Sequence, residues 1–204
     1  MPKKYLIFSG FIVLAILGYF LFKPRYKIVN YPPVNNTVVA FGDSLVQGVG
    51  SSSGHDFVSL LSTKIGRPIT NLGVSGETTT QGLARVRDVT SQNPGIVLVL
   101  FGGNDYLQKV SPEVTFQNLR AIISALQAKG AMVVLLGIRG GLLSDHFEAS
   151  FRNLARSTGS VYVPDVLSGL LADSRYMSDQ VHPNNLGYSI IADKVYQAMK
   201  GYLK

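Results

Sequence analysis

The sequence predicts an α/β domain in which a parallel sheet lies between two layers of helices. Apolar, strand-like runs alternate along the chain with amphipathic, helix-like stretches. Two of these runs, 96–101 and 132–136, are apolar throughout, which is typical of parallel strands covered on both faces. The composition agrees, because 46% of the 204 residues are hydrophobic and only 15% are charged. Such a chain buries a core and is not intrinsically disordered.

The predicted elements follow in a regular order. About five strands are predicted, at 37–41, 69–72, 96–101, 132–136 and 161–163. Helices are predicted near 56–65, 79–91, 112–129, 145–157 and 185–202. The third helix has the clearest bounds, because Ser111 suits its N-cap, Pro112 its first position and Gly130 its end. Right-handed crossovers between parallel strands then place residues 37–204 in one domain.

The amino-terminal region is predicted to lie outside this domain. Residues 5–22 carry no charge, and as a helix these 18 residues span about 27 Å, close to the hydrocarbon thickness of a bilayer. A cleaved signal peptide has a shorter apolar region and a small-residue cleavage site, whereas Leu-Phe-Lys-Pro stands at 21–24. We therefore expect a basic terminus at 1–4, one transmembrane helix at 5–22 and a linker at 23–36, with a cleaved signal as the alternative.

Charge and cysteine content exclude several function classes. The net charge is +7, but five of the basic residues precede residue 28, and the remainder carries 14 basic and 12 acidic residues. The domain therefore lacks the basic excess that nucleic-acid binding requires. The apolar segment has three positive charges on each side, counting the amino terminus, so charge does not set its orientation. The absence of cysteine excludes a disulfide scaffold, a thiolate zinc site and a cysteine nucleophile.

Candidate catalytic residues follow the first strand and precede the last helix. The functional residues of a parallel sheet gather beyond the carboxyl ends of its strands. Ser44 follows the first strand within the tetrapeptide Gly-Asp-Ser-Leu at 42–45, and a serine hydroxyl needs a positioned base to act as a nucleophile. His182 is the best candidate base, and Asp179, three residues earlier, is the candidate that orients its imidazole.

Candidate donors for an oxyanion hole follow the first three strands. The tetrahedral intermediate of acyl transfer is anionic and needs preorganised hydrogen-bond donors. The backbone N–H groups of Ser44 and Gly73 and the side-chain amide of Asn104 are the candidates. Gly73 suits this role because a residue without a Cβ lets the backbone approach the reacting atom closely.

Each candidate also has a structural interpretation. Taken alone, Ser44 is interpreted as a helix cap, Gly73 as a glycine that permits a tight turn, and Asn104 as a turn residue. His182 alone either caps the last helix or lies exposed, and Asp179 alone hydrogen-bonds its own loop. The joint occurrence of all five favours the catalytic interpretation.

Other polar residues receive mainly structural predictions. Asp43 and Asp105 are expected to brace loops, and His55 and His146 are expected at the surface. Arg139 either lines an acyl pocket or stands at a turn of the chain, and the sequence does not distinguish these.

Four sequence blocks resemble the SGNH hydrolase superfamily, also called the GDSL esterases and lipases. They are Gly-Asp-Ser-Leu at 42–45, Gly73, Gly-Asn-Asp at 103–105, and Asp179 with His182-Pro183, in the order of the family. The resemblance covers essentially all of residues 37–202. It implies a flavodoxin-like three-layer α/β/α sandwich with Ser44 as nucleophile and His182 as base. It also implies an oxyanion hole from Ser44, Gly73 and Asn104, and neither a metal nor an organic cofactor.

The overall length and the Gly-Gly-Asn-Asp block at 102–105 look most like the small bacterial thioesterase, lysophospholipase and arylesterase group. The resemblance implies a serine esterase acting through an acyl-enzyme on a small-molecule or lipid ester or thioester, with no nucleic acid and no required protein partner. Members of the group are usually exported, so an anchored domain in the periplasm or otherwise outside the cytoplasm is expected.

Two other functions stay open. One is an O-acetyl esterase that uses the same triad on cell-envelope glycans, and the other is an anchored binding domain without activity. The pocket near 73–80, 106–110 and 139–143 distinguishes the two enzymes, because a long apolar groove favours acyl chains and a short polar cleft favours acetyl groups.

Overall fold

The computed structural model describes residues 26–139 and 146–203, and these residues contain one parallel sheet of five strands. The strands are β1 (Val38–Gly42), β2 (Ile69–Gly73), β3 (Ile96–Leu100), β4 (Met132–Leu136) and β5 (Val161–Val163). Their order in the sheet is β2-β1-β3-β4-β5, and all four neighbouring pairs are parallel. The predicted strands are confirmed to within about one residue, and the strand order is that of flavodoxin-like sheets.

Eight helices occur in the described residues. They are α1 (Ser44–Gln47), α2 (Phe57–Ile65), α3 (Thr79–Ala84), α4 (Val86–Thr90), α5 (Gly103–Leu107), α6 (Pro112–Ala128), α7 (His146–Thr158) and α8 (Asn185–Met199). A 3₁₀ turn, Lys200–Tyr202, follows α8. The helix predicted at 79–91 is two helices that meet at Arg85. Sequence patterns did not predict α1 and α5, because four or five residues are too few to show a helical period.

Helices cover both faces of the sheet. Every residue of β1, β3 and β4 is buried, so side chains pointing to either face are out of solvent. Helix α2 packs against α8, while α3, α4 and α7 gather around α6. This two-sided cover is the reason that the central strands are apolar throughout.

The helix caps agree with the sequence. Ser111 accepts a hydrogen bond from the Val114 N–H and Pro112 opens α6, as predicted. Asn184 caps α8 and accepts from two backbone N–H groups of its first turn. This cap fixes the start of α8 three residues after His182.

Residues 26–36, which we call the N-terminal strap, lie within the predicted linker and are bound to the domain. Their hydrogen bonds to backbone carbonyls run from Tyr26 Oη to Ser160 (2.9 Å), from Val29 N to Gly159 (2.9 Å), and from Asn30 Nδ2 to Gln127 (2.8 Å) and Ala131 (3.0 Å). The ring of Tyr31 also packs edge-to-face on that of Tyr202. Several of these carbonyls belong to residues just before β4 and β5, so the strap lies at the amino ends of the strands.

The predicted transmembrane helix, residues 5–22, lies outside the described residues. Within residues 26–139 and 146–203, no helix is both long enough and apolar enough to cross a bilayer.

We predict that Asn30→Ala destabilises the domain by about 2–3 kcal/mol. The amide of Asn30 makes two hydrogen bonds, each contributing about 1 kcal/mol, and its φ of 58° lies in the left-handed region that alanine avoids. Urea unfolding measures the change in the free energy of unfolding. The control is Asn36→Ala, whose exposed amide oxygen accepts from Arg67 Nη1 at 3.1 Å, with an expected change within about 0.5 kcal/mol. Equal stability of both variants and the wild type would contradict the role given to the strap.

Candidate active site

Ser44 stands where β1 turns directly into α1. The turn is tight, since a Cβ on Gly42 would lie 2.3 Å from the Leu100 carbonyl oxygen, so only glycine fits there. Asp43 caps α1 by accepting the Leu45 N–H at 3.0 Å. Ser44 is 8% exposed. Its hydroxyl is therefore held at the carboxyl end of a central strand with one side open to a cavity.

His182 is carried by a short, internally bonded loop before α8. Met177 and Pro183 form an isolated antiparallel bridge, and the His182 carbonyl accepts the Ser178 N–H at 2.9 Å. The Asn184 N–H donates to the Tyr176 carbonyl at 2.8 Å. These backbone bonds hold the imidazole toward the end of β1.

The structure brings Ser44, His182 and Asp179 together. His182 Nε2 lies 3.0 Å from Ser44 Oγ, and His182 Nδ1 lies 2.7 Å from Asp179 Oδ2. The other oxygen of Asp179 accepts the backbone N–H groups of Val181 and His182 at 2.8 and 2.7 Å. The three side chains thus form a continuous hydrogen-bonded series.

Asp179 is a carboxylate at neutral pH, and its side chain is 52% exposed. The hydrogen bond from His182 and then the Val181 N–H lower the pKa of Asp179 to about 2. An ionised Asp179 accepts the Nδ1 proton of His182 and so leaves the Nε2 lone pair facing Ser44.

Asp105 braces the loops beneath the site, as predicted. It is fully buried at the start of α5. Its carboxylate accepts the Thr79 N–H at 2.9 Å, the Thr79 hydroxyl, and the Thr115 hydroxyl at 3.3 Å. One side chain therefore links the starts of α3, α5 and α6.

Asp43 is also buried, with 2% of its surface exposed. Burial raises the pKa of Asp43 to about 7, against the lowering effect of the Leu45 N–H, and the nearby carboxylates of Asp105 and Glu77 raise it further. The predicted bracing role agrees with its cap on α1.

The structure does not bring Gly73 to the cavity as a free donor. The Gly73 N–H donates to Asn71 Oδ1 at 2.9 Å, and Gly73 is not among the described residues that line the cavity. A Cβ at this position would lie 2.1 Å from Gln47 N. The missing Cβ of Gly73 therefore lets α1 pack closely on β2.

Gly76 lines the cavity instead; it lies within the stretch 73–80 predicted to line the pocket, but it was not predicted as an oxyanion donor. It has a φ of 82° and lies with Ser44 and Asn104 on the cavity wall. Asn104, on α5, donates from Nδ2 to the Glu77 carbonyl at 2.9 Å. The sequence feature that could have identified Gly76 is its place in Ser-Gly-Glu at 75–77, because a glycine in a loop between a strand and a helix often has a positive φ.

A cavity of about 860 Å³ opens over Ser44 and His182. Most of the surface of the cavity is apolar, and its large apolar lining side chains are Leu45, Tyr106, Leu107, Ile138, Leu167, Leu171, Met177 and Val181. Arg139 lines one side of the cavity, which is one of the two alternatives that the sequence left open for it. Its Nε lies 3.5 Å from Asp165 Oδ2. Such volumes and linings are those of ligand-binding sites.

The remaining predicted residues lie elsewhere. His55 is exposed on the loop before α2, where its ring meets Ser52 and Ser53, as predicted. The side chain of His146 lies outside the described part. Within the described ranges no cluster of three histidine or acidic residues is arranged to hold a metal. The predicted absence of a cofactor stays a prediction.

Comparison with known proteins decides the family. The model of the GDSL-like lipase/acylhydrolase family matches residues 40–190. The chain belongs to this family. It is an SGNH hydrolase, an enzyme that cleaves ester bonds.

Individual relatives agree with this assignment. Thioesterase 1/protease 1/lysophospholipase L1 of Escherichia coli K12 is 32% identical over 167 residues, which is 78% of this chain and 80% of that protein. The arylesterase of Vibrio mimicus is 32% identical over 178 residues, 81% of this chain and 89% of that protein. Among solved structures, the esterase EstA from Pseudoalteromonas sp., inhibited by monoethylphosphonate, has a TM-score of 0.75 at 28% identity and covers 83% of this chain and 99% of its own.

We predict that the Asp43→Asn variant becomes more stable relative to the wild type as the pH rises. The unfolded chain releases this proton near the ordinary value of 3.8, whereas the folded chain holds it to about 7. The wild type therefore loses stability from this group between about pH 4 and pH 7, and asparagine, which keeps the acceptor for Leu45, does not titrate. The free energy of unfolding is measured at pH 4.5 and pH 8.

The control for this measurement is Asp88→Asn, which changes an exposed carboxylate on α4. Its stability profile should run parallel to that of the wild type. A parallel profile for Asp43→Asn as well would show that Asp43 is ionised in the folded chain at both pH values.

Proposed function

We propose that this chain is a serine esterase in which Ser44 is the nucleophile, His182 the general base and acid, and Asp179 the group that orients His182. The observation that carries the proposal is the hydrogen-bonded series from Ser44 Oγ to His182 Nε2 at 3.0 Å and from His182 Nδ1 to Asp179 Oδ2 at 2.7 Å. It has the connectivity and distances of a catalytic triad.

The reaction proceeds in two halves. Ser44 Oγ attacks the carbonyl carbon while its proton passes to His182 Nε2, and the imidazolium that forms is stabilised by the carboxylate of Asp179. The imidazolium then protonates the departing alcohol or thiol, which leaves the acyl group on Ser44. Water, deprotonated by His182, then attacks the acyl-enzyme; the bond between the acyl carbon and Ser44 Oγ breaks, the imidazolium returns the proton to Oγ, and the acid is released.

The oxyanion that forms in each half is bound by three donors in this proposal. They are the N–H of Ser44, the N–H of Gly76, which takes the place first given to Gly73, and the side chain of Asn104. Asn104 Nδ2 carries two hydrogens and donates one to the Glu77 carbonyl, so the other remains to hydrogen-bond the substrate. Donors of this kind act in the transition state and raise the rate by about 10²–10³ each.

The cavity favours substrates with an apolar acyl or aryl group. Its volume of about 860 Å³ and its leucine, isoleucine, methionine and tyrosine side chains exceed what an acetyl group needs. The names of the relatives, a thioesterase and lysophospholipase and an arylesterase, cover acyl esters, thioesters and aryl esters. We therefore place acyl and aryl esters or thioesters ahead of O-acetyl groups on envelope glycans, and an inactive binding domain last.

We further propose that residues 5–22 anchor the enzyme with its domain outside the cytoplasm. The N-terminal strap lies at the amino ends of the strands, whereas the cavity lies at their carboxyl ends. A five-residue strand is about 17 Å long, so this arrangement separates the cavity from the anchored end of the chain. The mouth of the cavity then faces away from the anchoring bilayer and receives substrate from the surrounding medium.

We predict that kcat/KM rises along the series p-nitrophenyl acetate, butyrate and octanoate. Each methylene buried in the cavity contributes about 0.8 kcal/mol, which is up to about fourfold in kcat/KM. Initial rates with the full-length chain, at substrate concentrations below micelle formation, measure the series. A maximum at acetate would favour the O-acetyl esterase instead.

The control for the series is the Ser44→Ala variant, which removes one oxygen and should leave the fold intact. Its kcat should fall by several powers of ten for every ester, with residual catalysis from the oxyanion hole. The matched substitution Ser53→Ala, in the exposed loop after α1, should leave the rates unchanged. Ester hydrolysis by Ser44→Ala at the wild-type rate would end the proposed mechanism.

A further inference from the structure

We propose that Arg85 and Glu77 form a positioning pair for the oxyanion donors Gly76 and Asn104, and that turnover depends on this pair. The inference rests on the proposed function, because it assigns the two residues to the same oxyanion hole. Neither residue lines the cavity, so each acts through the backbone and side chains that it holds.

The contact between Arg85 and Glu77 is bidentate and largely buried. Arg85 Nε donates to both carboxylate oxygens of Glu77, at 2.8 and 2.7 Å, and Arg85 Nη2 lies 2.6 Å from Oε2. The two side chains are 18% and 13% exposed. Planar guanidinium–carboxylate contacts of this kind set orientation as well as distance.

The same guanidinium holds the ends of two strands. Arg85 Nη2 also donates to the carbonyls of Gly42, at 3.2 Å, and Leu72, at 3.0 Å, which lie at the carboxyl ends of β1 and β2. The guanidinium carbon lies 4.6 Å from the centre of the Phe41 ring, so the cation also packs on β1. Gly42 is two residues before Ser44, which ties the nucleophile turn to this cation.

Glu77 connects the ion pair to both donors. Its backbone carbonyl accepts the Asn104 side-chain amide at 2.9 Å, and Gly76 precedes it in the chain. A Cβ built on Gly76 would meet nothing within 4 Å, so packing does not hold the loop at that point. The ion pair at Glu77 holds the loop on the side after Gly76, while Val74 N–H to the Gly42 carbonyl (3.0 Å) and Ser75 N–H to Gln47 Oε1 (2.7 Å) hold it on the side before.

Stability alone is a weak reason for such a pair. A buried ion pair often contributes no more to stability than apolar side chains of the same volume, because both charges lose their hydration. Its geometry has a specific use here, because a displacement of the donors by about 1 Å costs up to 10²-fold in rate.

The test is Arg85→Lys in the full-length chain, with kcat and KM measured on p-nitrophenyl butyrate. Lysine keeps the charge but cannot reach Glu77, Gly42 and Leu72 at once. We expect kcat to fall about 10- to 100-fold, with KM changed by less than about threefold, since the oxyanion exists only in the transition state. Titration with a fluorophosphonate counts the active sites, so that partial misfolding does not pass for a lower kcat.

The control for a general effect of Arg→Lys changes is Arg152→Lys. Arg152 pairs with Glu148 at 2.8 Å on the exposed face of α7. Its kcat and KM should equal those of the wild type.

A double-mutant cycle with Asn104→Ala separates positioning from a merely structural role. If Arg85 acts through the donors, Arg85→Lys should cost less in the Asn104→Ala background than in the wild type, because one of the two donors that it positions is already absent. Full multiplication of the two effects, or an unchanged kcat for Arg85→Lys, would overturn the inference. Either result, obtained with an active wild type and an inactive Ser44→Ala, would leave the proposed function standing, whereas a wild type without esterase activity would remove the proposed function itself.

Discussion

The 3.0 Å contact between Ser44 Oγ and His182 Nε2 joins two residues that are 138 positions apart in the chain. The sheet order makes it possible, because the connection that leaves β1 runs to β2 on one side while the connection that leaves β3 runs to β4 on the other, which opens a crevice at the carboxyl ends of β1 and β3. The glycine at 42 lets α1 begin at once after β1, and the Asn184 cap on α8 fixes the loop that carries His182. The strand order, the turn at Gly42 and the Asn184 cap therefore together position Ser44 and His182 for this contact.

Three buried or largely buried carboxyl groups lie near this contact, and each is stabilised in a different way. Glu77 is paired with a guanidinium, Asp105 accepts hydrogen bonds from a backbone N–H and two hydroxyls, and Asp43 has its pKa raised to about 7 by burial. A protonated Asp43 adds no negative charge next to Ser44, where the proposed reaction generates an oxyanion. The half-exposed Asp179, in contrast, has its pKa lowered to about 2 and stays ionised beside His182 at neutral pH.

Most of the fold was predictable because the strands and long helices have strong hydrophobic patterns. The five strands and the helices α2, α6 and α8 begin within a residue or so of their predicted positions. The blocks at 42–45 and 179–183 also gave Ser44, Asp179 and His182, whose association follows from the rule that strand ends gather.

Other features depend on contacts that no local pattern encodes. The break at Arg85 arises because its side chain turns to Glu77 and the ends of β1 and β2. Gly73 and Gly76 are both loop-end glycines in the sequence, and only the packing of α1 on β2 distinguishes them. The N-terminal strap is polar and rich in proline, so it resembles a linker until its hydrogen bonds at the base of the sheet are seen.

The most direct test of the central claim is to map the site of covalent labelling by a fluorophosphonate. The full-length chain is labelled, digested, and its peptides are sequenced by mass spectrometry. The account predicts one phosphonyl group per chain, on Ser44, and labelling that slows by several powers of ten in His182→Ala, because the serine then lacks its base. A chain that hydrolyses esters while Ser44 stays unlabelled, or that carries the label on another residue, would contradict the account.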